Sequence, residues 1–115
     1  MLVACILETA EAVANLQEVV AVPGLDVPIV GKWDLCLALG LDPLAMPHTQ
    51  IEEIIDRLIL EGSKRGVAVG LDVASDEDFG QARSRGVRFL FGGSDYSILA
   101  GSSKATVSSF RSLAG

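Results

Sequence analysis

Short apolar runs recur along this chain, and each hands over within a few residues to polar groups and then to a segment with helical spacing. The runs are Leu2 to Leu7, "DVPIVG" at 26 to 31, "VAVGLDV" at 67 to 73 and "VRFLFGG" at 87 to 93. Strands covered on both faces read as continuous apolar runs, and parallel strands need long, usually helical, crossovers between them. Four strands alternating with four helical segments therefore predict an α/β fold built on a parallel sheet. Four βα units are also half of a (β/α)8 TIM-type barrel, which keeps its chemistry at the C-terminal ends of its strands.

The helical segments differ in strength. Ala10 to Val20 places Val13, Leu16 and Val20 on one side and stops at Pro23-Gly24. Leu35, Leu37 and Leu39 fall in a short helical or irregular link that ends in "GLDPLAMP". Thr49 opens the strongest helix: with Glu52 it fits a capping box, and Ile51, Ile54, Ile55, Leu58 and Ile59 recur at intervals of three and four. Glycines 62 and 66 are read as its stop. Ser75-Asp76 leads into a helix over 77 to 85, and a C-terminal helix ends near Leu113.

Half of the 115 residues are hydrophobic and 21% are charged, the makeup of one compact domain over 1–115. A net charge of −6, with nine scattered basic residues, argues against a nucleic-acid partner and an anionic membrane surface, since phosphate contacts need clustered Lys and Arg. Basic residues gather only around Lys64, Arg65, Arg83, Arg85 and Arg88. Mean hydropathy is high at +0.44. Yet no apolar run approaches the roughly 18 residues that span a bilayer, so the hydrophobicity belongs to a core or an interface. Cys5 and Cys36 sit in apolar segments without metal-ligand spacing and read as small buried hydrophobes in a reduced, cytoplasmic setting. The N-terminus lacks the basic start of a signal peptide.

The strand ends carry the candidate chemistry: Glu8, Gly31 to Asp34, Asp72, and Gly92 to Asp95. Each has a plain structural reading. Glu8 fits a first-turn acid at a positive helix end, Asp34 a helix cap, and Asp72 and Asp95 helix-start or loop acids. Gly92-Gly93-Ser94 fits a tight βα turn or a set of amides for an anion. His48, the sole histidine, reads as a surface residue, and Trp33 either closes over a site or covers the rim. Taken together, Glu8 and Asp34 read differently. Two hard oxygen donors on neighbouring parallel strand ends can share a divalent cation, Mg or Mn in preference to zinc, and Gly31 lets a small anion approach the backbone.

The stretch "ILETAEAVANLQEVVAVPGLDVPIVGKWDLCLALGL" resembles the metal-site half of the HpcH/HpaI aldolase and citrate lyase superfamily, in which a strand ending "ET.EAV.NL" precedes a "VPG.D...IG..DL" segment. "GVRFLFGGSDYSILA" is similar to the last strand and helix of those barrels. The resemblance implies the C-terminal half of an aldolase-type TIM barrel: a metal-dependent carbon-carbon lyase acting on 2-oxo acids through a pyruvate-type enolate. It implies Glu8 and Asp34 as ligands of a divalent cation, and Gly31, Lys32, Trp33 and Asp34 as the loop that holds the oxo-acid carboxylate. This chain departs from the family in having Ile6 where Gln is common, and "GKWDLC" where "GPADLS" or "GTNDLC" is usual. The family's enolate-stabilising Arg and water-activating His come from N-terminal strands, so no catalytic acid or base is assigned here.

Half a barrel has two unpaired edges and leaves inward apolar residues, such as Val69 and Phe91, partly uncovered. An oligomer is therefore expected, either a second copy or a complementary half-barrel chain. The resemblance adds that full-length members exchange C-terminal helices. The alternative is a non-catalytic truncated barrel that binds metal or oxo acid, or serves only as an assembly subunit.

Overall fold

Helix α4, Thr49–Arg65, brings Ile51, Ile54, Ile55 and Leu58 into the hydrophobic core. A computed structural model describes residues 1–114. In chain order the described elements are β1 (Ala4–Leu7), α1 (Ala10–Ala14), α2 (Leu16–Val20), β2 (Val27–Val30), α3 (Lys32–Ala38), a 3-10 turn (Pro43–Ala45), α4, β3 (Gly70–Asp72), α5 (Asp76–Ser84), β4 (Phe89–Phe91) and α6 (Asp95–Leu113). The four strands pair in the order β1-β2-β3-β4, all in parallel, as the alternation predicts.

Register follows from one row of side chains. Leu7 pairs with Val30, Val30 with Leu71, and Leu71 with Leu90. Leu7, Val30 and Leu71 are buried in the core with Ile51, Ile54, Ile55 and Leu58 of α4. The residues between them, Ile6, Ile29, Gly70 and Phe89, form the row on the opposite face. On that face Ile6 is 54% exposed and Phe91 41%. The expectation that Val69 lies on this uncovered face does not hold. Val69 is buried in the core, because it is two residues from Leu71 and so shares its face.

Other local expectations yield to longer-range contacts. The helix over 10–20 is broken at Asn15 into α1 and α2. The capping box at Thr49 does not form: His48 occupies the cap position without a side-chain bond. The Glu52 carboxylate instead accepts from Arg85 Nη1. Gly62 does not stop α4. A Cβ there would lie 2.8 Å from Val69 Cγ2, so the glycine lets the helix pass close to the strand that follows. The stop is Gly66, in the left-handed region at φ 71°, which glycine adopts without a steric cost. The link read as short helical or irregular is helical: it contains α3 and the 3-10 turn, whose Asp42 carboxylate accepts from the Leu44 amide at 2.9 Å. Ser75 caps α5 by accepting from the Asp78 amide, as expected.

Two polar ties brace α4. Arg85 donates from Nη2 to the Glu52 carbonyl at 3.2 Å and to Asp56 Oδ1 at 2.8 Å, joining the end of α5 to α4. Burial works against this guanidinium's charge, but bonds to Asp56 and Glu52 outweigh it and hold the group above its ordinary range. At the other end Glu61 accepts from Lys64 Nζ at 2.7 Å and from Gln17 of α2 at 3.4 Å. The Lys64 bond holds its carboxyl below the usual range against the opposing effect of burial. Both cysteines are free, Cys36 buried and Cys5 partly so, and burial pushes both thiols up.

Helix α6 is unlike the others: none of its residues is buried. The molecule measures 58 × 32 × 25 Å with a radius of gyration of 16.9 Å. A compact chain of this length has about 13 Å. Tyr96, Leu99, Phe110 and Leu113 are each at least 66% exposed on this arm. No helix among the described residues is long and apolar enough to cross a membrane.

Leu58→Ala, at a fully buried site, is expected to cost about 2–5 kcal/mol in urea unfolding. Leu99→Ala on the arm should change the stability of the monomer by less than about 0.5 kcal/mol, and a larger cost would show that α6 packs on its own core. Arg85→Met should cost about 1 kcal/mol, with Asp56→Asn costing less because Glu52 still holds the guanidinium.

Candidate functional site

The aligned strand register brings the ends of β1, β2 and β3 to one rim. β1 closes at the buried Leu7, and Thr9 caps α1 by accepting from the Ala12 amide at 3.1 Å. Glu8 lies between them, before the helix and exposed. The first-turn acid of α1 is Glu11, so the helix-end reading of Glu8 does not hold.

The parallel pairing runs one residue past β2, with the Gly31 amide donating to the Leu7 carbonyl at 3.1 Å. That bond places Gly31 directly beside Glu8. A Cβ on Gly31 would lie 2.8 Å from Ile6 Cγ2, 3.2 Å from Glu8 Cβ and 3.3 Å from Glu8 Oε2. The missing side chain leaves room for both Ile6 and Glu8 of the neighbouring strand. Gly31 is also the cap residue of α3, and its carbonyl accepts from the Leu35 amide at 2.9 Å. Asp34 is therefore in the first turn of α3 and is not its cap. Asp34 and Glu8 take part in none of the three ion pairs among the described residues.

Glu8, Gly31, Lys32, Trp33 and Asp34, all five residues singled out from the sequence, line a single open groove of about 800 Å³. Ile6, Ile29 and Leu71 give it apolar surface, and Asp72 also borders it. The groove runs on between α4 and α5, past Glu52, Gln81 and Arg85. Trp33 is half exposed. Asp95 lies outside the groove, where its Oδ1 accepts from the neighbouring Tyr96 amide at 2.8 Å.

The glycine pair proves to be a turn into a well-capped helix. Ser94 Oγ accepts from the Ser97 amide at 3.1 Å, and Ser97 Oγ accepts from the Ser94 amide at 2.9 Å. These hydroxyls occupy two amides that an anion would need.

Sequence reasoning missed His48. It is half-buried on the groove wall, and its Nε2 lies 2.7 Å from the Asp42 carbonyl oxygen. A carbonyl only accepts, so Nε2 carries the proton and Nδ1 is left as the acceptor in the neutral ring. Its position just ahead of α4, at the end of the proline-bearing link, was the available signal.

No group of three or more His, Cys, Asp or Glu side chains gathers at one point among the described residues. Among the residues singled out from the sequence, Glu8 and Asp34 bring two carboxylates to the groove, fewer donors than a closed four-ligand zinc cage requires.

A family model described as HpcH/HpaI aldolase/citrate lyase matches residues 1–101. The chain is 34% identical over 100 residues to a 2-dehydro-3,6-dideoxy-6-sulfogluconate aldolase of Pseudomonas putida, covering 84% of this chain and 38% of that protein. It is 27% identical over 104 residues to a 4-hydroxy-2-oxo-heptane-1,7-dioate aldolase of Escherichia coli, covering 90% and 39%. The crystal structure of an HpcH/HpaI aldolase/citrate lyase family protein from Burkholderia cenocepacia J2315 superposes with a TM-score of 0.83 at 29% identity, over 96% of this chain and 43% of that one. The chain spans about two-fifths of the length of these relatives. Its parallel βα sheet is part of the TIM-barrel-like fold of these aldolases. By the family match along residues 1–101 and by this structural likeness, the chain belongs to the HpcH/HpaI aldolase/citrate lyase family.

Proposed function

We propose that residues 1–115 form the C-terminal, metal-site half of a metal-dependent carbon-carbon lyase, an aldolase acting on 2-oxo acids through a pyruvate-type enolate. The observation that carries this reading is the Glu8 carboxylate seated over Gly31, on the groove that Asp34 also lines. The aldolase relatives support the reaction class.

Glu8 and Asp34 would hold the cation, Mg or Mn. When bound, that ion supplies Lewis-acid polarisation of the 2-oxo group. The chain's own residues do the rest. Gly31 leaves the space that lets Glu8 reach the rim. Backbone groups of 31–34 orient the carboxylate of the oxo acid, with Lys32 and Trp33 beside it. Ile6 and Ile29 give the groove apolar walls beside these groups. No acid or base is assigned to the carbon-carbon bond cleavage itself.

The arm α6 and the uncovered Ile6 and Phe91 support association, with a second copy or with a complementary half-barrel chain. Two free thiols support a reducing, cytoplasmic setting. The same uncovered face favours, as a second reading, a non-catalytic module that binds metal and oxo acid only.

Glu8→Gln and Asp34→Asn should each weaken Mn binding by about tenfold or more, measured by electron paramagnetic resonance on samples shown to be folded by circular dichroism. Deuterium exchange into the pyruvate methyl group, followed by NMR, should vanish in Asp34→Asn. Mn binding indifferent to both substitutions would sink the metal site, and Mn binding without exchange in the unaltered chain would select the non-catalytic module. In sedimentation the unaltered chain should run as an oligomer, and Leu99→Asp combined with Phe110→Asp as a monomer. An oligomer that survives the double substitution would remove α6 from the interface.

A further inference from the structure

We propose that a second copy of this chain closes the sheet edge to edge, β4 of each copy pairing in parallel with β1 of the other, and that Asp95 of the second copy thereby becomes a third oxygen donor beside Glu8. The inference rests on the metal site proposed above. The strand bonds show which backbone groups are left for such pairing. The carbonyls of Val3 and Leu7 accept from the Val27 and Gly31 amides on the β2 side. Backbone groups of successive strand residues point to opposite sides, so those of Ala4 and Ile6 face the open edge of β1. On β4 the Phe89 amide donates to the Val69 carbonyl at 3.1 Å and the Phe91 carbonyl accepts from the Val73 amide at 2.9 Å, which leaves Leu90 and Gly92 for the other side. Each edge is thus a template for another strand. Its side chains are uncovered as well, with Ile6 54% exposed and Val3 and Phe91 each 41%.

One register satisfies both edges. Leu7, Val30, Leu71 and Leu90 stand level across the sheet, so the four strands carry no stagger of their own. The shear of about 8 that closes an eight-stranded barrel then falls on the two seams between copies, about four residues at each. Counting that far back from Leu7 gives Val3, opposite Leu90 of the other copy. This pairing keeps the core-facing side chains on one face, and it sets the amide and carbonyl of Leu90 between Leu2 and Ala4, whose own groups face the edge. A shift in the other direction sets β4 against helix α1, which has no free ladder to offer. A twofold axis along the barrel makes both seams at once and leaves no edge unpaired.

Closure changes the site as well as the sheet. Glu8 follows the edge strand, with Gly31 on one side of it and no strand on the other. In this register Asp95 of the second copy is level with Glu8, and neighbouring strands lie only about 4.8 Å apart. Asp95 is exposed and lies outside its own chain's groove, and its Oδ1 accepts from the Tyr96 amide at 2.8 Å. No three carboxylates of a single copy gather at one point among the described residues. Hard cations take six or more oxygens, so a third carboxylate from across the seam strengthens the site and still leaves positions for a ligand. Helix α6 opens at Asp95, so the same seam carries this arm, with its exposed apolar residues, onto the second copy.

The test mixes two variants of the full chain, Glu8→Gln and Asp95→Asn. Each alone should keep a dimeric mass in sedimentation and lose about tenfold or more in Mn affinity by electron paramagnetic resonance. Random exchange, followed by native mass spectrometry of isotope-labelled chains, makes about half of the dimers mixed. One seam of each mixed dimer joins an intact Glu8 to an intact Asp95, so tight Mn sites should reappear at about one per four chains. Mixed dimers without restored sites overturn the inference, as does a monomeric unaltered chain. Ala4→Pro removes an edge amide and leaves the β2 side untouched, so it should give folded monomers, and a folded dimer of this variant overturns the edge pairing. Mn binding indifferent to both Glu8→Gln and Asp34→Asn removes the metal site and this inference together, whereas binding lost in Glu8→Gln and retained in Asp95→Asn removes this inference alone.

Discussion

Everything at the rim of this molecule depends on the packing of α4 against one row of strand residues, Leu7, Val30 and Leu71. Each such fully buried aliphatic side chain contributes about 1.5–3 kcal/mol relative to exposure. The row fixes register as well as stability. Side chains alternate along a strand, so a slip of one residue would turn the whole set out of the core. With register held, Leu7 and Val30 stand side by side and the next residues, Glu8 and Gly31, must do the same. Placement of the carboxylate thus follows from hydrophobic packing one residue below it, together with the backbone bond from Gly31 to Leu7.

The parts of the fold legible in the sequence are those that packing alone determines. The α/β class, the four strand cores and the face of α4 came from periodicity, and periodicity reports burial. Where a second, distant contact intervened, local rules failed. Thr49 and Glu52 have the spacing of a capping box, but Arg85, 33 residues further on, takes Glu52 instead. Gly62 has the chemistry of a helix stop, but the approach of Val69 uses its lack of a side chain while the helix continues. Val69 was misplaced for a different reason. In a continuous apolar run the phase of the alternation is invisible, and only the pairing of Gly70 with Ile29 reveals which residues face the helices.

The candidate residues that line the groove were legible to a similar depth. Glu8, Gly31 and Asp34 announce themselves as polar interruptions at strand ends, where an apolar pattern has no use for them. What the sequence could not disclose was why Gly31 is glycine: the cause is the neighbouring strand, whose Ile6 Cγ2 would lie 2.8 Å and Glu8 Cβ 3.2 Å from an added Cβ. His48 was hidden because its place on the groove wall depends on the course of the link from Gly40 to Pro47, which has no periodicity to read. Its bond to the Asp42 carbonyl is a contact within that link.

The division between what this chain can hold and what it leaves open follows from the same geometry. Parallel pairing brings the ends of β1 and β2 together, and the proposed ligands Glu8 and Asp34 follow those two ends. Polarising a bound oxo acid strongly asks for more, since water at the site screens each charge and a low local dielectric amplifies it. In this sheet Ile6 and Phe91 remain exposed on the face opposite the core. The groove is correspondingly open, and its charges act through partly aqueous surroundings. Covering that face would therefore do two things at once. It would bury the apolar residues that now face water, and it would raise the field that Glu8, Asp34 and Lys32 exert on a ligand. On the proposed function, assembly and chemistry would be coupled through one surface, since a barrel closed by hydrophobic burial would also have an electrostatically stronger rim.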